Sequence, residues 1–234
     1  MRMKKTLLLM ALICCMSAGL RAESGTCGAN LSWEYANGTL TITGSGPMTN
    51  FNAAGSQPWA SVRGSIVQLV LPEELTVIGD YAFAYCSKLR MVTIPSQVTR
   101  IGRAAFKECP ALSRVTFAEG SKMQTIGVQA FFNCDALASI QLPEGLVYIE
   151  NGAFNNCSKL SAIDIPASVL SVGESAFYDC SDLSKVTLHN GTQTIGKDAF
   201  CQCGNLSSVT LPESLVSIGE SAFNSSTSLT SVVV

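Results

Sequence analysis

The sequence contains a single histidine, His189, among 234 residues. Hydrolases with a serine or cysteine nucleophile need a neighbouring general base, and histidine is the usual one. His189 follows a predicted strand, where a solvated side chain is normal. The chain also lacks the glycine-rich loop with a nearby lysine that cradles phosphate groups. These absences argue against an enzyme, and we predict no catalytic residue, no cofactor and no bound metal.

Basic residues are few and scattered. The chain has 15 Lys and Arg against 17 Asp and Glu, and four of the basic residues lie within the first 22 positions. Without that segment, 11 basic residues remain against 17 acidic ones. A mildly acidic chain without a basic cluster is a poor partner for nucleic acid or for an anionic membrane surface.

The first 22 residues have the three parts of a secretory signal peptide. Residues 1–5 include three basic side chains, residues 7–16 are apolar, and residues 17–19 are small or polar. An apolar run of roughly ten residues is too short for a membrane-spanning helix, which needs about 20. We therefore predict export to the cell surface or the medium, with cleavage after Gly19 or Ala22. Cys14 and Cys15 leave a lipid anchor open as an alternative.

An internal repeat occupies most of the remaining chain. Phenylalanine recurs every 23 residues, with one step of 25, at Phe83, Phe106, Phe131, Phe154, Phe177, Phe200 and Phe223. Each follows an alanine, and a cysteine stands three residues later in every unit except the seventh, which has Ser226. A complete unit reads L-x-x-V-x-I-P-x-x-V-x-x-I-G-x-x-A-F-x-x-C-x-x. Seven units from 66 to 228, followed by the start of an eighth, indicate a solenoid of stacked repeats.

One repeat shows how a unit should fold. Residues 91–94 alternate with period two, which predicts a strand whose Val92 and Ile94 point inward. Pro95 should end that strand because it has no amide hydrogen for the ladder. The glycine at 102 permits a tight bend, and residues 105–109 have room for one helical or 3₁₀ turn. We therefore predict an α/β-type leucine-rich-repeat solenoid of short parallel strands and short helical or 3₁₀ turns.

Residues 23–65 precede the repeats and predict a β-hairpin cap. Residues 31–35 and 40–42 alternate apolar and polar side chains, and the Asn37-Gly38 pair between them is a strong type I′ turn signal. A hairpin with one apolar face can cover the open core of the first repeat, as the end of a solenoid requires. The predicted organisation is a signal peptide at 1–22, a cap at 23–65 and the solenoid at 66–234.

The repeat unit resembles the BspA-like, or treponemal-type, leucine-rich repeat over residues 66–234. The segments Gly25-Thr26-Cys27-Gly28 and Pro58-Trp59 resemble the capping segment that often precedes such repeats. This resemblance implies a surface or secreted protein that attaches to host matrix proteins, host cells or other bacteria. We therefore expect a protein partner, such as a host matrix or bacterial surface protein.

Eight cysteines follow the signal segment, and six of them occupy the same inward position in six repeats. We predict that these six stack as small buried side chains, because parallel side chains on neighbouring strands have poor disulfide geometry. Cys27 and Cys201 fall outside this series and can pair or stay free. A metal site at Cys201, Cys203 and His189 is disfavoured, since a structural zinc site needs about four converging ligands.

The outward positions of the predicted strands form a polar, hydroxyl-rich surface. The candidate ligand face comprises Met91, Thr93, Arg114, Thr116, Gln141, Asp164, Lys185, Thr187 and Thr210. Such a face can bind an extended ligand through many hydrogen bonds, although a plain solvated sheet has the same composition. Aromatic side chains, which often anchor interfaces, are expected on the turn side, at Tyr81, Tyr85, Phe132, Tyr148 and Tyr178.

The alternative function is a structural or assembly module of the cell envelope. Val232, Val233 and Val234 lie in a predicted strand without a polar cap. An open strand edge with apolar side chains can pair with another chain. This alternative predicts self-association through the C-terminal edge.

Overall fold

Each repeat forms one turn of a β-solenoid, with two short strands in every complete repeat except repeat four, which has one strand and an isolated bridge. The computed structural model describes residues 22–234, so the predicted signal peptide and lipid anchor lie outside the described residues, apart from Ala22. The strands are β1 Glu23–Gly28, β2 Leu31–Ala36, β3 Thr39–Gly44, β4 Gly46–Pro47, β5 Gln68–Val70, β6 Leu75–Ile78, β7 Met91–Ile94, β8 Arg100–Ile101, β9 Arg114–Phe117, β10 Thr125–Ile126, β11 Tyr148–Ile149, β12 Ala162–Ile165, β13 Ser171–Val172, β14 Lys185–Leu188, β15 Thr194–Ile195, β16 Ser208–Thr210, β17 Ser217–Ile218 and β18 Ser231–Val233.

The second strands of the repeats form one continuous sheet, which we call the rear sheet. Its eight parallel strands follow the order β4, β6, β8, β10, β11, β13, β15 and β17. The register advances by one repeat from strand to strand, so that Ile101 pairs with Ile126 and Ile126 with Ile149. Backbone hydrogen bonds therefore join every turn to the next on this side.

The first strands form the face sheet, which is divided into three parts. The strands β1, β2, β3 and β5 form one part, β7 and β9 a second, and β12, β14, β16 and β18 a third. A bridge between Val115 and Ile140 extends the second part. We call the gap between β5 and β7 the first seam, and the gap between residues 137–142 and β12 the second seam.

Proline at the end of a first strand cannot donate to the ladder because it has no amide hydrogen, although β14 and β16 still pair beside Pro212. Two repeats have another residue at the proline position, and each donates a bond there: Ala118 N–H to Ile94 O at 2.9 Å and His189 N–H to Ile165 O at 3.2 Å. These repeats also have the four-residue pairings β7–β9 and β12–β14. Ala118 and His189, which replace the proline, therefore each add a hydrogen bond to the face sheet.

The predicted helical turns are wrong, and the repeats form a β-solenoid. Within residues 22–234 the helical element is one 3₁₀ helix, Arg63–Ser65, which precedes the first repeat. In the turn segment of repeat one, Tyr81 has φ 57° and Tyr85 has φ 63°. A positive φ every fourth residue breaks a right-handed helix. The Phe83 N–H instead bonds Ala105 O of the next repeat at 2.7 Å, so the turn segments are also joined from repeat to repeat.

The glycine after the second strand is needed for close approach rather than for a bend. A Cβ added at Gly173 would lie 2.6 Å from Asn151 N, and one added at Gly196 would lie 2.5 Å from Glu174 N. Neither glycine has a positive φ. The missing side chain therefore lets the backbones of successive turns meet at the edge of the rear sheet.

The phenylalanines form a column through the core. Successive rings from Phe83 to Phe223 lie 5.2–5.4 Å apart, and from Phe106 onward their planes are within 11° of parallel. Trp59 continues the column, with its ring 5.7 Å from Phe83 and its Nε1–H donated to Ala82 O at 2.8 Å. The Pro-Trp segment thus supplies the aromatic ring that covers the first repeat.

The predicted hairpin is present, and it belongs to a larger sheet. β2 and β3 pair antiparallel across Asn37 and Gly38, whose φ angles of 51° and 81° fit a type I′ turn. β1 adds an antiparallel strand on one side, and β3 pairs in parallel with β5 of the first repeat. No helix within residues 22–234 has the length and apolar character needed to cross a bilayer.

Candidate protein-binding surface

The outward side chains of the face sheet form two rows, because successive strand residues point to opposite sides. The register aligns Met91 with Arg114 and Thr93 with Thr116. Seven of the nine predicted ligand-face residues are exposed, and Thr187 and Thr210 are half-buried. The structure therefore brings the predicted residues onto one side of the stack, and whether they bind a ligand stays a prediction.

Hydroxyl groups on this face partly satisfy one another. The Thr93 and Thr116 hydroxyls are hydrogen-bonded at 3.0 Å across neighbouring strands. The Thr116 hydroxyl is also 3.5 Å from Val92 O. Fewer free hydroxyl groups are therefore exposed on this face than its composition suggests.

His189 and Asp164 form an ion pair on the face when the imidazole is protonated. The Nε2–Oδ1 distance is 2.7 Å, and the two side chains are 51% and 75% exposed. An exposed pair of this kind contributes about 0–1 kcal/mol to stability. Sequence reasoning predicted only a solvated side chain at His189. The repeat pattern does not show that Asp164, two positions before the equivalent residue of the previous unit, lies close enough to pair with it.

Two grooves flank repeat four on the face. The larger, of about 430 Å³, lies between residues 115–121 and 141–145. The smaller, of about 220 Å³, includes Gln141, Glu144, Asp164 and His189. The two extra residues of repeat three fall in the loop beside the larger groove, and the second seam lies beside the smaller one. Both grooves have Gln141 of the predicted face in their lining.

Two exposed apolar residues were missed by sequence reasoning. Val67 and Val70 are 47% and 39% exposed, and Met91 beside them is 59% exposed. The equivalent residues in repeat two are Arg90 and Thr93. These outward positions are apolar in repeat one and polar in repeat two. This difference is the sequence signal that identifies the patch.

The six cysteines of the repeat ladder are buried and free of disulfides, as predicted. Each thiol from Cys109 to Cys203 donates to the phenylalanine carbonyl of the preceding repeat at 3.2–3.3 Å, and the Ser226 hydroxyl donates to Phe200 O at 3.1 Å. The replacement of cysteine by Ser226 was the sequence signal for this hydrogen bond. The ladder position therefore requires a side chain that is small and that can also donate a hydrogen bond.

Desolvation keeps these thiols protonated. Burial raises the pKa of Cys109, Cys157 and Cys203 from 9.0 to about 12 in each case. Burial also raises the pKa of Cys27 to about 11. A buried thiol that stays protonated is a poor nucleophile and a poor metal ligand.

Cys27 and Cys201 do not pair with each other. Both are free and buried. Cys27 lies on β1, and Cys201 lies between β15 and β16 near the other end of the stack. Among residues 22–234, no three His, Cys, Asp or Glu side chains are grouped so that they could hold a metal ion.

Three of the five aromatic candidates show distinct surroundings. Arg63 lies over the Tyr85 ring at 5.2 Å, and Lys107 lies over the Phe132 ring at 4.5 Å. Tyr148 lies on strand β11 of the rear sheet instead of on the turn side. These rings therefore do not form one aromatic surface.

The fold and the exposed face define the class as a leucine-rich-repeat protein, and comparisons with known proteins agree. A model of the BspA type leucine rich repeat region, in six copies, matches residues 60–169 and 119–230. The chain therefore belongs to the BspA-type leucine-rich-repeat family. Repeat proteins of this kind generally mediate protein–protein interaction, and the matched family is not a catalytic one.

Two solved structures show the same architecture. The leucine rich repeat protein of T. pallidum, TpLRR, is 27% identical, with 88% of this chain and 91% of that chain covered and a TM-score of 0.67. A leucine-rich repeat protein from Bacteroides ovatus is 21% identical, with 87% and 69% covered and a TM-score of 0.56. Among curated proteins, none is similar enough to this chain to count as a match.

Proposed function

We propose that this chain is an exported bacterial protein that binds a protein ligand through its face sheet, and that it serves in adhesion to a host matrix or bacterial surface protein. The observation that carries this proposal is the face itself. It displays exposed Met91, Arg114, Gln141, Asp164 and Lys185 on a continuously packed core.

The composition of the face supports a protein ligand over a nucleic acid. Arg114 and Lys185 are separated along the stack by Asp164, so that no patch of a single sign forms. Methionine and arginine are enriched at protein interfaces, and mixed charges there contribute specificity. Export is inferred from residues 1–22, and adhesion is inferred from the family.

Biolayer interferometry tests this function. The purified protein is probed against immobilised host matrix proteins and surface proteins of neighbouring bacteria. We expect specific binding to at least one protein, weakened at least tenfold in the double variant Arg114→Glu, Lys185→Glu. Arg103→Glu, which changes an exposed arginine near the rear sheet, is the matched control and should bind normally. Failure to bind any of these proteins, or equal loss of binding in the control, would contradict the proposal.

An assembly module remains the second candidate because of the last repeat. Val216 is 80% exposed and Ile218 is 47% exposed at β17, while Val232 and Val233 are 54% and 53% exposed at β18. Apolar side chains are therefore exposed on the last described strand of each sheet. Sedimentation of the purified protein over a hundredfold concentration range separates the candidates. Self-association that Val216→Lys and Val232→Lys abolish would favour assembly, and a concentration-independent monomer would exclude it.

A further inference from the structure

A groove of about 630 Å³, which we call the rear groove, lies on the outer side of the rear sheet. It spans repeats two to five, and the side chains that give it its chemistry are Arg100, Arg103, Tyr148, Glu150, Asn151 and Ser171. The eight strands of this sheet pair without interruption, so their backbone groups bond neighbouring repeats. A ligand in the rear groove is therefore recognised by side chains rather than by strand pairing.

Two departures from the repeat pattern meet at the edge of this groove. The Asp80 and Asn151 side chains each accept the backbone N–H of the equivalent residue in the next repeat, at 2.7 and 3.0 Å. Arg103 occupies the same position in repeat two and has no acceptor to offer. Glu150, which replaces the glycine of repeat four, supplies the acceptor instead, and its Oε2 accepts the Val128 N–H at 2.9 Å. The two departures are thus linked, and they place a cation and an anion in one groove.

The guanidinium of Arg103 is left without an ionic partner by this arrangement. The equivalent basic residue of repeat six, Lys197, pairs with Glu220 of the following repeat at 3.5 Å. The residue that follows Arg103 at the position of Glu220 is the uncharged Val128. Within the described chain, no carboxylate forms an ion pair with Arg103. Its hydrogen-bond donors are therefore available to a ligand in the groove.

Tyr148 adds an exposed aromatic ring to the same groove. It is 46% exposed, and the register of the rear sheet places it between Thr125 and Ser171. Both neighbours have smaller side chains, so the ring stands above the surrounding surface. The face of an aromatic ring is negatively polarised, and it attracts the weakly positive C–H groups on the flat side of a sugar ring.

The polar groups around this ring match the hydroxyls of a neutral sugar. A hydroxyl both donates and accepts hydrogen bonds, whereas the Arg103 guanidinium only donates and the Glu150 carboxylate only accepts. Arg100 is balanced by Asp80 at 3.8 Å, so a charged ligand would meet one attracting and one repelling group. The Glu150 and Asn151 side chains are held by backbone N–H groups before any ligand arrives. This preorganisation lowers the entropy cost of binding.

We propose that the rear groove binds a neutral saccharide, whose ring stacks on Tyr148 and whose hydroxyls bond Arg103 and Glu150. This site lies on a different sheet from the proposed protein-binding face. It adds a carbohydrate ligand to the protein ligand and does not depend on it.

An array of immobilised oligosaccharides, probed with the purified protein, tests this site. One half of the array consists of neutral hexoses and N-acetylhexosamines, and the other half carries sialic or uronic acids. We expect saturable binding to at least one neutral member, with the affinity then measured by isothermal titration calorimetry.

Variants of the groove identify the groups that carry the binding. Tyr148→Ala should weaken it about tenfold or more, whereas Tyr148→Phe, which keeps the ring, should weaken it less than about threefold. Arg103→Gln should weaken it about threefold or more, because it removes the charged donor. Lys197→Gln, at the equivalent position outside the groove, is the matched control and should bind normally. Circular dichroism checks that all four variants fold.

Four outcomes would overturn the assignment. They are no saturable binding of any neutral saccharide, binding confined to the acidic members, equal binding by Tyr148→Ala and the wild type, and loss of a protein ligand in Tyr148→Ala. The last outcome would assign the rear groove to a protein interface. The Arg114, Lys185 double variant should keep its saccharide binding, so the two proposals can fail independently.

Discussion

The rear sheet pairs eight strands without interruption, whereas the face sheet is divided at two seams. The two sheets share the same repeats and the same core. On the rear side a glycine lets successive backbones meet in six of the seven complete repeats, and on the face side a proline removes a ladder donor from most repeats. The rear sheet thus holds the stack together, while the face sheet exposes side chains and peptide groups.

The largest effect should come from the core that both sheets share. Phe154 is fully buried between the rings of Phe131 and Phe177. Phe154→Ala should lower the free energy of unfolding by about 3–5 kcal/mol, because its stacked neighbours cannot collapse into the cavity. Met91→Ala on the face is the control and should change it by less than about 0.5 kcal/mol. Urea denaturation measures both, and equal effects would contradict this account of the core.

A pair of glycine substitutions should distinguish the two sides of the stack. Gly173→Ala places a Cβ against the backbone of the previous repeat, at 2.6 Å from Asn151 N, and should cost about 1–3 kcal/mol. Gly145→Ala, beside the larger groove of the face, brings its Cβ only to 3.4 Å from Met123 O. This second change should be nearly neutral. Thermal melting of both variants checks the prediction, and an unchanged midpoint for Gly173→Ala would refute the close-approach role.

Much of this organisation was predictable from the 23-residue period. The period located the strands, the phenylalanine column and the cysteine ladder, because each depends on which side chains face inward. The turn segments were predicted wrongly, since the spacing from Phe106 to Cys109 fits a helical turn as well as a turn with a positive φ. Asn133 and Asn156, at the positive-φ position of two repeats, are the signal that distinguishes these conformations.

The seams could not be predicted from side-chain periodicity, because they depend on backbone pairing between repeats. Ala118 and His189 were visible as departures from the proline position, but their meaning became clear only from the bonds that they donate. The rows of the candidate face followed from strand alternation. Val67 and Val70 were not predicted, because most outward positions of the other repeats are polar.

The ladder thiols should produce a smaller, pH-dependent effect. Burial raises the pKa of Cys109 to about 12 in the folded protein, from 9.0 for an exposed thiol. As the pH rises above about 9, the unfolded chain loses thiol protons first, so folded-state stability present below that pH is lost progressively towards pH 12. Each such thiol lowers the free energy of unfolding by up to about 1.4 kcal/mol per pH unit.

Cys109→Ser is the matched control for this effect, because serine keeps a donor for Phe83 O, as Ser226 does for Phe200 O. The stability of the variant should fall less steeply between pH 9 and pH 10.5 than that of the wild type. Urea denaturation at several pH values measures both slopes. Identical slopes would mean that Cys109 does not stay protonated in the folded state.

Hydrogen exchange of individual backbone amides, followed by NMR, tests the contrast between the two sheets most directly. The amides of Gly102 and Gly173 are bonded across the rear sheet at 2.9 and 2.8 Å, and Ser113 N–H is bonded within the face sheet at 2.9 Å. These three should exchange only through large-scale unfolding, whereas Arg90, at the position equivalent to Ser113 but at the first seam, should exchange orders of magnitude faster. Protection of Arg90 equal to that of Ser113 would show that the face sheet is closed and would contradict the account.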